Sequence, residues 1–468
     1  MVQLVPGQHI HLVGIGGFGL SAIARVLLQQ GYTISGSDRS KNELTAALVK
    51  EGATIYEGHA AANVQGAEML VISSAVPPDH VEVLAAKRLG IPVYKRSDII
   101  GALLSGYSGI AVAGTHGKTT TTAMVTQVLL AAGHDPSYII GGVLRSSGHN
   151  AHVGSGQAFV IEADEYDYMF LGLQPQIAVL NNVEYDHPDF FKTPAAMTDA
   201  FRRFTERVPA DGLLIACADN ALAKQLAQEA SARTLVTLYG SDDQDSLWSA
   251  GNFHITEDGQ SAFDVVRAGK LLGTVRLQLP GKHNALNALA ALVVADSQGI
   301  AFEQAAQALA AYQGTGRRFE LRGELETPQG HIAVIDDYAH HPTAIKATLE
   351  AARARYAGRA LWAVWQPHTY TRTQALLNEY ATAFASADYV LVTDIYAARE
   401  APIPGVNSAE VVIAMQHERV GYTPRLEDAI VALDKSVKAP AVVVVMSAGD
   451  APHISAEFLA RRRARSGQ

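Results

Sequence analysis

A glycine-rich turn followed by lysine and threonine is the strongest chemical signal in the sequence. It follows the apolar run 110–113, opens a predicted helix, and consists of Gly114, Thr115, His116, Gly117, Lys118, Thr119 and Thr120. Backbone N–H groups in such a loop bind phosphate oxygens, the lysine reaches the transferred phosphoryl group, and the threonine hydroxyl can ligate Mg²⁺. The loop is shorter than the standard phosphate loop, which would need a glycine at Val112. Binding of ATP or GTP is therefore favoured over an incidental glycine turn.

Two acidic clusters follow apolar runs further along the chain. Glu162, Asp164 and Glu165 come after one run, and the segment 184–187 (Glu-Tyr-Asp-His) comes after the next. The carboxyl ends of strands are where α/β folds bind ligands, and carboxylate oxygens suit Mg²⁺. The two clusters therefore predict a metal–nucleotide site. The residues alone leave His187 open, because imidazole is an uncommon Mg²⁺ ligand.

A second glycine turn lies nearer the start of the chain. Residues 14–19 fit G-x-G-x-x-G between a strand predicted over 10–13 and a helix predicted over 21–30, and Asp38 ends the next predicted strand. The glycines allow close approach of a pyrophosphate, and the acid can bind ribose hydroxyls. This pattern is typical of NAD binding. It also fits the pyrophosphate of a UDP-sugar, or a tight turn that binds nothing, and the motif does not choose among these.

Further polar clusters precede a helix or follow strands. Asn284 and Asn287 suit either an adenine edge or a helix cap, and Arg318 suits either phosphate oxygens or an exposed salt bridge. The segments 336–342 and 366–373 follow apolar strands, which is the usual position of site loops. Zinc catalysis is disfavoured, because the paired histidines of the first segment are adjacent rather than at i, i+4.

The elements that position these residues alternate between short β-branched runs and longer helical stretches. This pattern predicts an α/β fold with parallel sheets joined by crossover helices. It starts afresh near residues 10, 110 and 332, and 468 residues suggest about three domains at ~150 residues each. The segments 105–109 and 314–316 are candidate joints. We expect domains at 1–107, 108–316 and 317–468.

Composition excludes several classes of protein. The net charge of −9 argues against a general binder of nucleic acid or anionic membranes. The single Cys217 excludes an intramolecular disulfide framework and a cysteine metal cluster. The first residues lack a basic flank before a long apolar core, so we expect no signal peptide, and no apolar run approaches the ~20 residues of a membrane helix. We expect a soluble, cytoplasmic protein without nucleic-acid or membrane partners.

Taken together, these motifs resemble the Mur ligases. The residues that carry the resemblance are Gly-Ile-Gly-Gly-Phe-Gly-Leu-Ser at 14–21, Gly-Thr-His-Gly-Lys-Thr at 114–119 and Glu-Ala-Asp-Glu at 162–165. Asp-Asp-Tyr-Ala-His-His-Pro at 336–342 and Gln-Pro-His-Thr-Tyr-Thr-Arg-Thr at 366–373 are similar to the branch that attaches L-alanine to UDP-N-acetylmuramate. The motifs occur in the family's order over nearly the whole chain, and their ordered combination is highly specific.

The resemblance implies a three-domain enzyme. An N-terminal Rossmann-like domain would hold the UDP-sugar, which replaces the NAD interpretation of the first turn. A central domain of the phosphate-loop ATPase type, with a mostly parallel sheet, would bind ATP, and a C-terminal Rossmann-like domain would close over the site. The implied reaction uses ATP and Mg²⁺ to activate the lactyl carboxylate as an acyl phosphate, which the amine of L-alanine then attacks. The implied partners are UDP-N-acetylmuramate and L-alanine, acting on a monomer or homodimer.

The resemblance also implies roles for single residues. The residues expected to take part in catalysis are Lys118, Arg318 and His341. Magnesium would be held by Thr119 and Glu162, and a second ion by His187. Nucleotide-binding residues would be Gly114, Thr115, His116, Gly117, Lys118, Thr119, Thr120, Asn284, Asn287, Arg318 and Asp337. Substrate-binding residues would be Gly16, Gly17, Phe18, Gly19, Asp38, Ser73, Ser74, His368 and Arg372.

Two departures from the family pattern leave alternatives. Many relatives carry arginine where this chain has Thr369, which removes one expected carboxylate or phosphate contact. Tyr166 and Asn182 resemble the recycling branch, which adds the L-Ala-D-Glu-meso-diaminopimelate tripeptide to the same sugar nucleotide, although the segment 171–175 lacks a long basic insertion. From other classes, an NAD-dependent oxidoreductase would explain the first turn alone, and a non-catalytic nucleotide-binding regulator would explain the second.

Overall fold

The computed structural model describes residues 2–241 and 245–466. The first sheet has the strand order β3-β2-β1-β4-β5, with every neighbouring pair parallel. The strands β1 and β4 are buried along nearly their whole length because helices cover both faces. The elements are β1 (His9–Val13), α1 (Phe18–Gln29), β2 (Thr33–Asp38), α2 (Glu43–Lys50), β3 (Thr54–Glu57), a 3₁₀ turn (Ala61–Val64), β4 (Met69–Ile72), α3 (Val81–Arg88), β5 (Val93–Lys95) and α4 (Arg96–Leu103).

The second sheet is larger and mostly parallel. Its order is β15-β14-β13-β12-β11-β10-β6-β9-β7-β8, with antiparallel pairing in the β13–β15 meander and between β7 and β8. The elements are β6 (Ser108–Ala113), α5 (Lys118–Ala131), β7 (Ser137–Leu144), β8 (His149–His152), β9 (Ala158–Glu162), a 3₁₀ segment (Tyr166–Gly172), β10 (Ile177–Leu180), α6 (Pro194–Thr205), β11 (Leu213–Cys217), α7 (Ala221–Ala230), β12 (Leu235–Gly240), β13 (Trp248–Ile255), β14 (Ser261–Arg267), β15 (Lys270–Leu277), α8 (Lys282–Ser297) and α9 (Phe302–Ala310).

The third sheet has the order β16-β17-β21-β18-β19-β20, and only the β16–β17 hairpin is antiparallel. Its central strand β21 is buried at every position, as its unbroken apolar run requires. The elements are β16 (Glu320–Thr327), β17 (Gly330–Asp337), α10 (Pro342–Arg355), β18 (Ala360–Trp365), α11 (Tyr370–Ala375), α12 (Leu377–Thr382), β19 (Tyr389–Val392), α13 (Ser408–Ala414), β20 (Val420–Tyr422), α14 (Leu426–Ser436), β21 (Ala441–Met446) and α15 (Pro452–Ser466).

The order of the strands decides where site residues meet. In the first sheet, the direction of winding reverses at β1, which lies between β2 and β4. In the second, β6 lies between β9 and β10, both parallel to it. Such reversals leave a crevice at the carboxyl ends of the strands. Both glycine turns leave from these central strands, so the order of the sheets places each turn at a crevice.

Contacts between the sheets differ in character. The helix α1 packs on β7 and β8 through the buried Arg25, whose guanidinium donates to Asn150 and to Glu51. On the other side, one apolar cluster runs from the second sheet through Phe319 to Trp365 in the third. The molecule is therefore one continuous packed body, with a polar cavity at the second boundary.

The α/β, three-domain prediction is confirmed, and the strands predicted near 10, 110 and 332 are present. One predicted boundary was wrong. The helix predicted from residue 21 begins at Phe18, because the turn ends at Gly17. No helix in the described ranges is both long and apolar enough to cross a membrane.

Candidate active site

The second glycine turn forms a cradle at the start of α5. Gly114 and Gly117 have φ of 141° and 79°, which favour glycine. A Cβ on Gly117 would lie 2.5 Å from Asn287 Oδ1, so a side chain does not fit there. The helix begins at Lys118 without a side-chain cap, which leaves its first N–H groups available to an anion. The cradle fits a phosphate group.

Lys118 is held at the mouth of this cradle. Its Nζ donates to the Gly114 carbonyl at 2.7 Å and to Glu165 Oε2 at 2.8 Å. Burial alone would lower the pKa of Lys118, but the charges of Glu165, Asp164 and Glu162 outweigh it and raise that pKa. The ammonium group is therefore charged at neutral pH. Sequence reasoning noted Glu165 only as one of three acids and missed this ion pair.

Two oxygen atoms that could ligate a metal ion lie beside the cradle. Thr119 Oγ1 donates to Glu162 Oε2 at 2.9 Å, and Arg318 Nη2 donates to the same hydroxyl at 3.0 Å. The Gly141 N–H also donates to Glu162 at 2.8 Å, which fixes the carboxylate. A hydroxyl and a carboxylate so close together are the hard ligands that Mg²⁺ prefers. The predicted ligands Thr119 and Glu162 are therefore brought together, with Arg318 next to them.

His187 lies in a neighbouring network of charges. Its Nε2 is 3.5 Å from Glu165 Oε1, so Glu165 lies between it and Lys118. Burial would lower the pKa of His187, but Asp186 and Glu165 raise it. The backbone at His187 has φ of 55°, an unusual conformation for a residue with a side chain. In the part of the chain that the structure describes, no hydrogen bond or ion pair joins His187 to Thr119 or Glu162.

Arg372 and His368 lie on the C-terminal side of the same network. Arg372 Nε donates to Asp186 Oδ1 at 2.6 Å, and its Nη1 donates to His368 Nδ1 at 2.9 Å. Burial would raise the pKa of Asp186, but Arg372 and the nearby histidines lower it. The arginine thus joins the third sheet to the 184–187 segment of the second. This bridge was not predicted, although both of its sequence segments were identified.

These groups surround one cavity of about 540 Å³ between the second and third sheets. It is lined by the second glycine turn, by both acidic clusters and by the segments after β17 and β18. Of the predicted site residues, the cavity lining includes Thr115, His116, Gly117, Lys118, Thr119, Thr120, Glu162, His187, Asn284, Asn287, Arg318, Asp337, His341, His368 and Arg372. Its size is that of a small-molecule site.

The predicted adenine-side residues are largely engaged with one another. Asn287 Oδ1 accepts a hydrogen bond from Thr121, and Asn287 donates to Asn284, which donates to the Pro280 carbonyl at 2.7 Å. Both carboxylate oxygens of Asp337 accept backbone N–H groups, from Phe319 and Ala339. These three residues therefore shape the cavity wall as well as line it.

His341 joins the two sheets that form the cavity. It caps α10 by accepting the Thr343 N–H, and its Nε2 is 3.3 Å from the Tyr185 carbonyl. Burial lowers the pKa of His341 to about 4, so it is neutral at pH 7. Beside it, Glu184 accepts the Thr343 hydroxyl at 2.7 Å and contacts His116 at 3.1 Å. Glu184 thus connects the second glycine turn to α10.

The first glycine turn lies away from this cavity. The Gly16 N–H donates to Asp38 Oδ2 at 2.8 Å, and Asp38 Oδ1 accepts the Arg39 N–H at 2.7 Å. A Cβ on Gly14 would lie 3.1 Å from Ser73 Oγ, which places the end of β4 beside the turn. The predicted residues Gly16, Gly17, Phe18, Gly19, Asp38, Ser73 and Ser74 therefore form a cluster of their own around the first crevice.

Arg96 links the two clusters. Its Nη2 donates to Asp164 Oδ2 at 2.7 Å, and Asp164 lines the cavity. Its Nη1 would lie 2.6 Å from a Cβ on Gly19 in the first turn. No motif in the sequence pointed to Arg96, because the residue lies at the start of α4 without a recognisable pattern.

Family models match most of the chain. The model described as "Mur ligase family, catalytic domain" matches residues 9–108, "Mur ligase middle domain" matches 112–295, and "Mur ligase, glutamate ligase domain" matches 317–449. These three matches fall on the first, second and third sheets in turn.

Individual proteins agree with these models. The UDP-N-acetylmuramate--L-alanine ligase of Desulfatibacillum aliphaticivorans is 41% identical, over 97% of this chain and 98% of the relative. The crystal structure of UDP-N-acetylmuramate-alanine ligase from Thermotoga maritima matches with a TM-score of 0.81 and 27% identity, over 98% and 99% of the two chains. A murein peptide ligase from Psychrobacter arcticus matches with a TM-score of 0.76 and 28% identity, over 97% and 99%.

Proposed function

The chain belongs to the Mur ligase family, and we propose that it joins L-alanine to the lactyl carboxylate of UDP-N-acetylmuramate, converting ATP to ADP and phosphate. The observation that carries this proposal is the convergence of Lys118, the Thr119–Glu162 pair and Arg318 on one cavity. An oxidoreductase would leave these groups unused. The proposed sites lie in domains at 1–107, 108–316 and 317–468.

The chemistry begins with a carboxylate, which is a poor acyl donor at neutral pH. Transfer of the γ-phosphoryl group of ATP to it gives an acyl phosphate, and the amine of L-alanine then attacks the carbonyl carbon and releases phosphate. Negative charge develops on phosphoryl oxygens in the first step. Fixed cations that face this charge stabilise the transition state. We assign that role to Lys118 and Arg318.

The nucleotide would bind in the cradle of the second turn, with Thr115, Thr120, Asn284, Asn287 and Asp337 around it. The close oxygen pair of Thr119 and Glu162 fits Mg²⁺, and His187 would hold a second ion beside Glu165. Magnesium, when bound, would neutralise charge on the phosphates. His341, His368 and Arg372 would line the substrate side of the cavity, where the neutral His341 adds no charge.

The sugar nucleotide would bind at the first turn. The G-x-G-x-x-G backbone faces the crevice beside β1, and Asp38 and Ser73 lie at its rim. Arg96 would connect this substrate with the acids of the cavity. A closed arrangement of the domains would keep water from the acyl phosphate. We expect the enzyme to act in the cytoplasm, where ATP is available, as a monomer or homodimer.

Phosphate release from ATP tests the proposal. The assay contains Mg²⁺ and UDP-N-acetylmuramate, and compares L-alanine with the L-Ala-D-Glu-meso-diaminopimelate tripeptide. We expect release with L-alanine. Release with the tripeptide alone would place the protein in the recycling branch, which the likeness to the Psychrobacter arcticus ligase makes the second candidate. Silence with both would contradict the substrate assignment.

A further inference from the structure

The cationic side chains that line the cavity, among the described residues, are Lys118, Arg318, Arg372 and Arg399. They differ in how many of their N–H donors already form hydrogen bonds with other residues of the protein. Lys118 and Arg318 lie at the phosphate cradle, beside Glu165 and Thr119. The other two lie on the side of the cavity formed by the third sheet, where the amino acid would enter.

Arg372 has little left to offer a ligand. Its side chain is 3% exposed, and each of its three guanidinium nitrogens has a protein partner. The Nε donates to Asp186, Nη1 to His368 Nδ1, and Nη2 to His187 Nδ1 at 3.4 Å. A buried guanidinium so completely paired holds the two sheets together, and it would have to break this network to bind a substrate.

Arg399 presents the opposite case. Its side chain is 38% exposed, and its Nη2 donates to Asp189 Oδ2, which also accepts the Tyr166 hydroxyl at 2.9 Å. The guanidinium lies over the Tyr166 ring, 4.4 Å from its centroid. Within residues 2–241 and 245–466, Nε and Nη1 of Arg399 have no hydrogen-bond partner. Asp189 therefore fixes the guanidinium through Nη2, while the N–H groups of Nε and Nη1 remain available to donate to a ligand.

The turn that carries Arg399 is fixed to the neighbouring segment. Thr369 N–H donates to the Tyr396 carbonyl at 2.9 Å, and Thr371 N–H donates to Glu400 Oε2 at 2.9 Å. Glu400, the residue after Arg399, is thus held in place by this hydrogen bond. A side chain on such a braced turn is positioned before the ligand arrives, which lowers the entropy cost of binding.

L-alanine brings a carboxylate one carbon away from the amine that reacts. A guanidinium with two parallel N–H groups is the side chain best matched to a carboxylate. We propose that Arg399 binds the α-carboxylate of the incoming amino acid, and so selects a free amino acid over an amine whose carboxyl group is blocked. This inference rests on the proposed function and deepens it.

Two features of the third sheet support this assignment. Thr369 is buried and uncharged, so this position supplies no cation to the amino-acid side. The charge of Arg399 also reaches the same region, since burial and the charges of Arg372 and Arg399 lower the pKa of His368 to about 3. Arg399 is therefore the available cation beside His368.

The test compares L-alanine with L-alaninamide, which keeps the amine and lacks the carboxylate. Phosphate release is measured with the full-length wild type and with Arg399→Ala, Arg399→Gln and Arg399→Lys. In Arg399→Ala we expect the KM for L-alanine to rise about 30-fold, as for loss of a hydrogen bond to a charged group. The preference for L-alanine over L-alaninamide in kcat/KM should fall by the same factor. The lysine variant should recover part of both.

Arg203→Ala is the matched control, because Arg203 also lies over a tyrosine ring but outside the cavity. It should leave all constants unchanged, and the KM values for ATP and UDP-N-acetylmuramate should stay unchanged in every variant. An unaltered L-alanine to L-alaninamide preference in Arg399→Ala would overturn the inference, as would a fall in kcat alone. If the alanine variant does not fold, Arg399→Gln, which can still donate to Asp189, decides between the same outcomes. A wild type inactive with L-alanine would instead contradict the proposed function.

Discussion

The two glycine turns occupy equivalent places in their sheets, yet they carry different chemistry. Each follows a central parallel strand at a reversal of winding, and each opens a helix. In the first turn, the Gly16 N–H is braced by Asp38, and Arg96 is a nearby cation. In the second, Lys118 belongs to the turn itself, and Glu162 and Arg318 reach the residue that follows it. The first arrangement suits holding a diphosphate and the second suits transferring a phosphoryl group.

This difference shows that the chemistry of a glycine turn depends on the side chains that other elements place beside it. The acids after β9 and β10 reach the second turn because these strands flank β6. The first turn lies between β2 and β4. The strand β2 ends in Asp38, and β4 is followed by Ser73. The backbone pattern is shared, and the charged neighbours are not.

The largest expected effect is a loss of phosphoryl transfer at the second turn without a loss of diphosphate binding at the first. Lys118→Ala removes the cation of the second turn, and we expect kcat to fall by about 10³-fold, as for loss of a preorganised charge at the transition state. Binding of UDP-N-acetylmuramate, measured by calorimetry, should be unchanged because the first turn is untouched. Lys87→Ala, on the exposed face of α3, is the matched control. Near-normal turnover of the Lys118 variant would contradict the assignment.

The second prediction concerns the support of the first turn. Glu82 is fully buried and accepts hydrogen bonds from Ser37 Oγ at 2.6 Å and Asn63 Nδ2 at 2.7 Å, and the Ser37 carbonyl accepts the Gly14 N–H. Burial would raise the pKa of Glu82, but the His11 imidazole 3.7 Å away and hydrogen bonds from Ser37 and Asn63 lower it to about 2. Ionised Glu82 thus stabilises the fold above its unfolded pKa of 4.5, and this stability is lost as pH falls toward 2.

Glu82→Gln should therefore lower the free energy of opening of β1 and β2 by about 3 kcal/mol at pH 7, which is about 150-fold in the opening equilibrium. Hydrogen exchange of the β1 and β2 amides measures it. The difference from wild type should shrink at pH 3, and amides of β6 should not change. An equal difference at both pH values would show that the charge of Glu82 is not the cause.

These two sites also show how far the sequence could be used. The function of the second turn was predictable because a glycine loop with lysine and threonine, followed by acids at strand ends, is typical of a metal–nucleotide site. The parallel order of the strands brings these residues to one edge of the sheet. Two arginines at the site were not predictable. Arg96 and Arg399 come from a helix start and a turn with no motif, and only the packing of the three sheets places them at the site.

The third prediction addresses the proposed magnesium ligands at the second turn. Glu162→Gln keeps the shape of the side chain and removes the charge beside Thr119 Oγ1. We expect the Mg²⁺ concentration for half-maximal activity to rise about 30-fold, because a carboxylate is a much better ligand for a hard cation than an amide. A Mg²⁺ titration of phosphate release measures this. Glu257→Gln, which is exposed, should titrate as wild type does, and an unshifted Glu162 variant would exclude that ligand.

The smallest expected effect asks whether Asp38 braces the first turn or also contacts the sugar nucleotide. Both carboxylate oxygens already accept backbone N–H groups, from Gly16 and Arg39, but each keeps a second lone pair for a ribose hydroxyl. Asp38→Asn retains one amide oxygen for the Gly16 N–H and loses the charge. If Asp38 contacts ribose, the KM for UDP-N-acetylmuramate should rise about tenfold, the worth of one charged hydrogen bond, and the KM for ATP should not change. If it only braces the turn, Asp38→Asn should bind substrate as wild type does while Asp38→Ala does not, and the first turn would then select its ligand through its backbone alone.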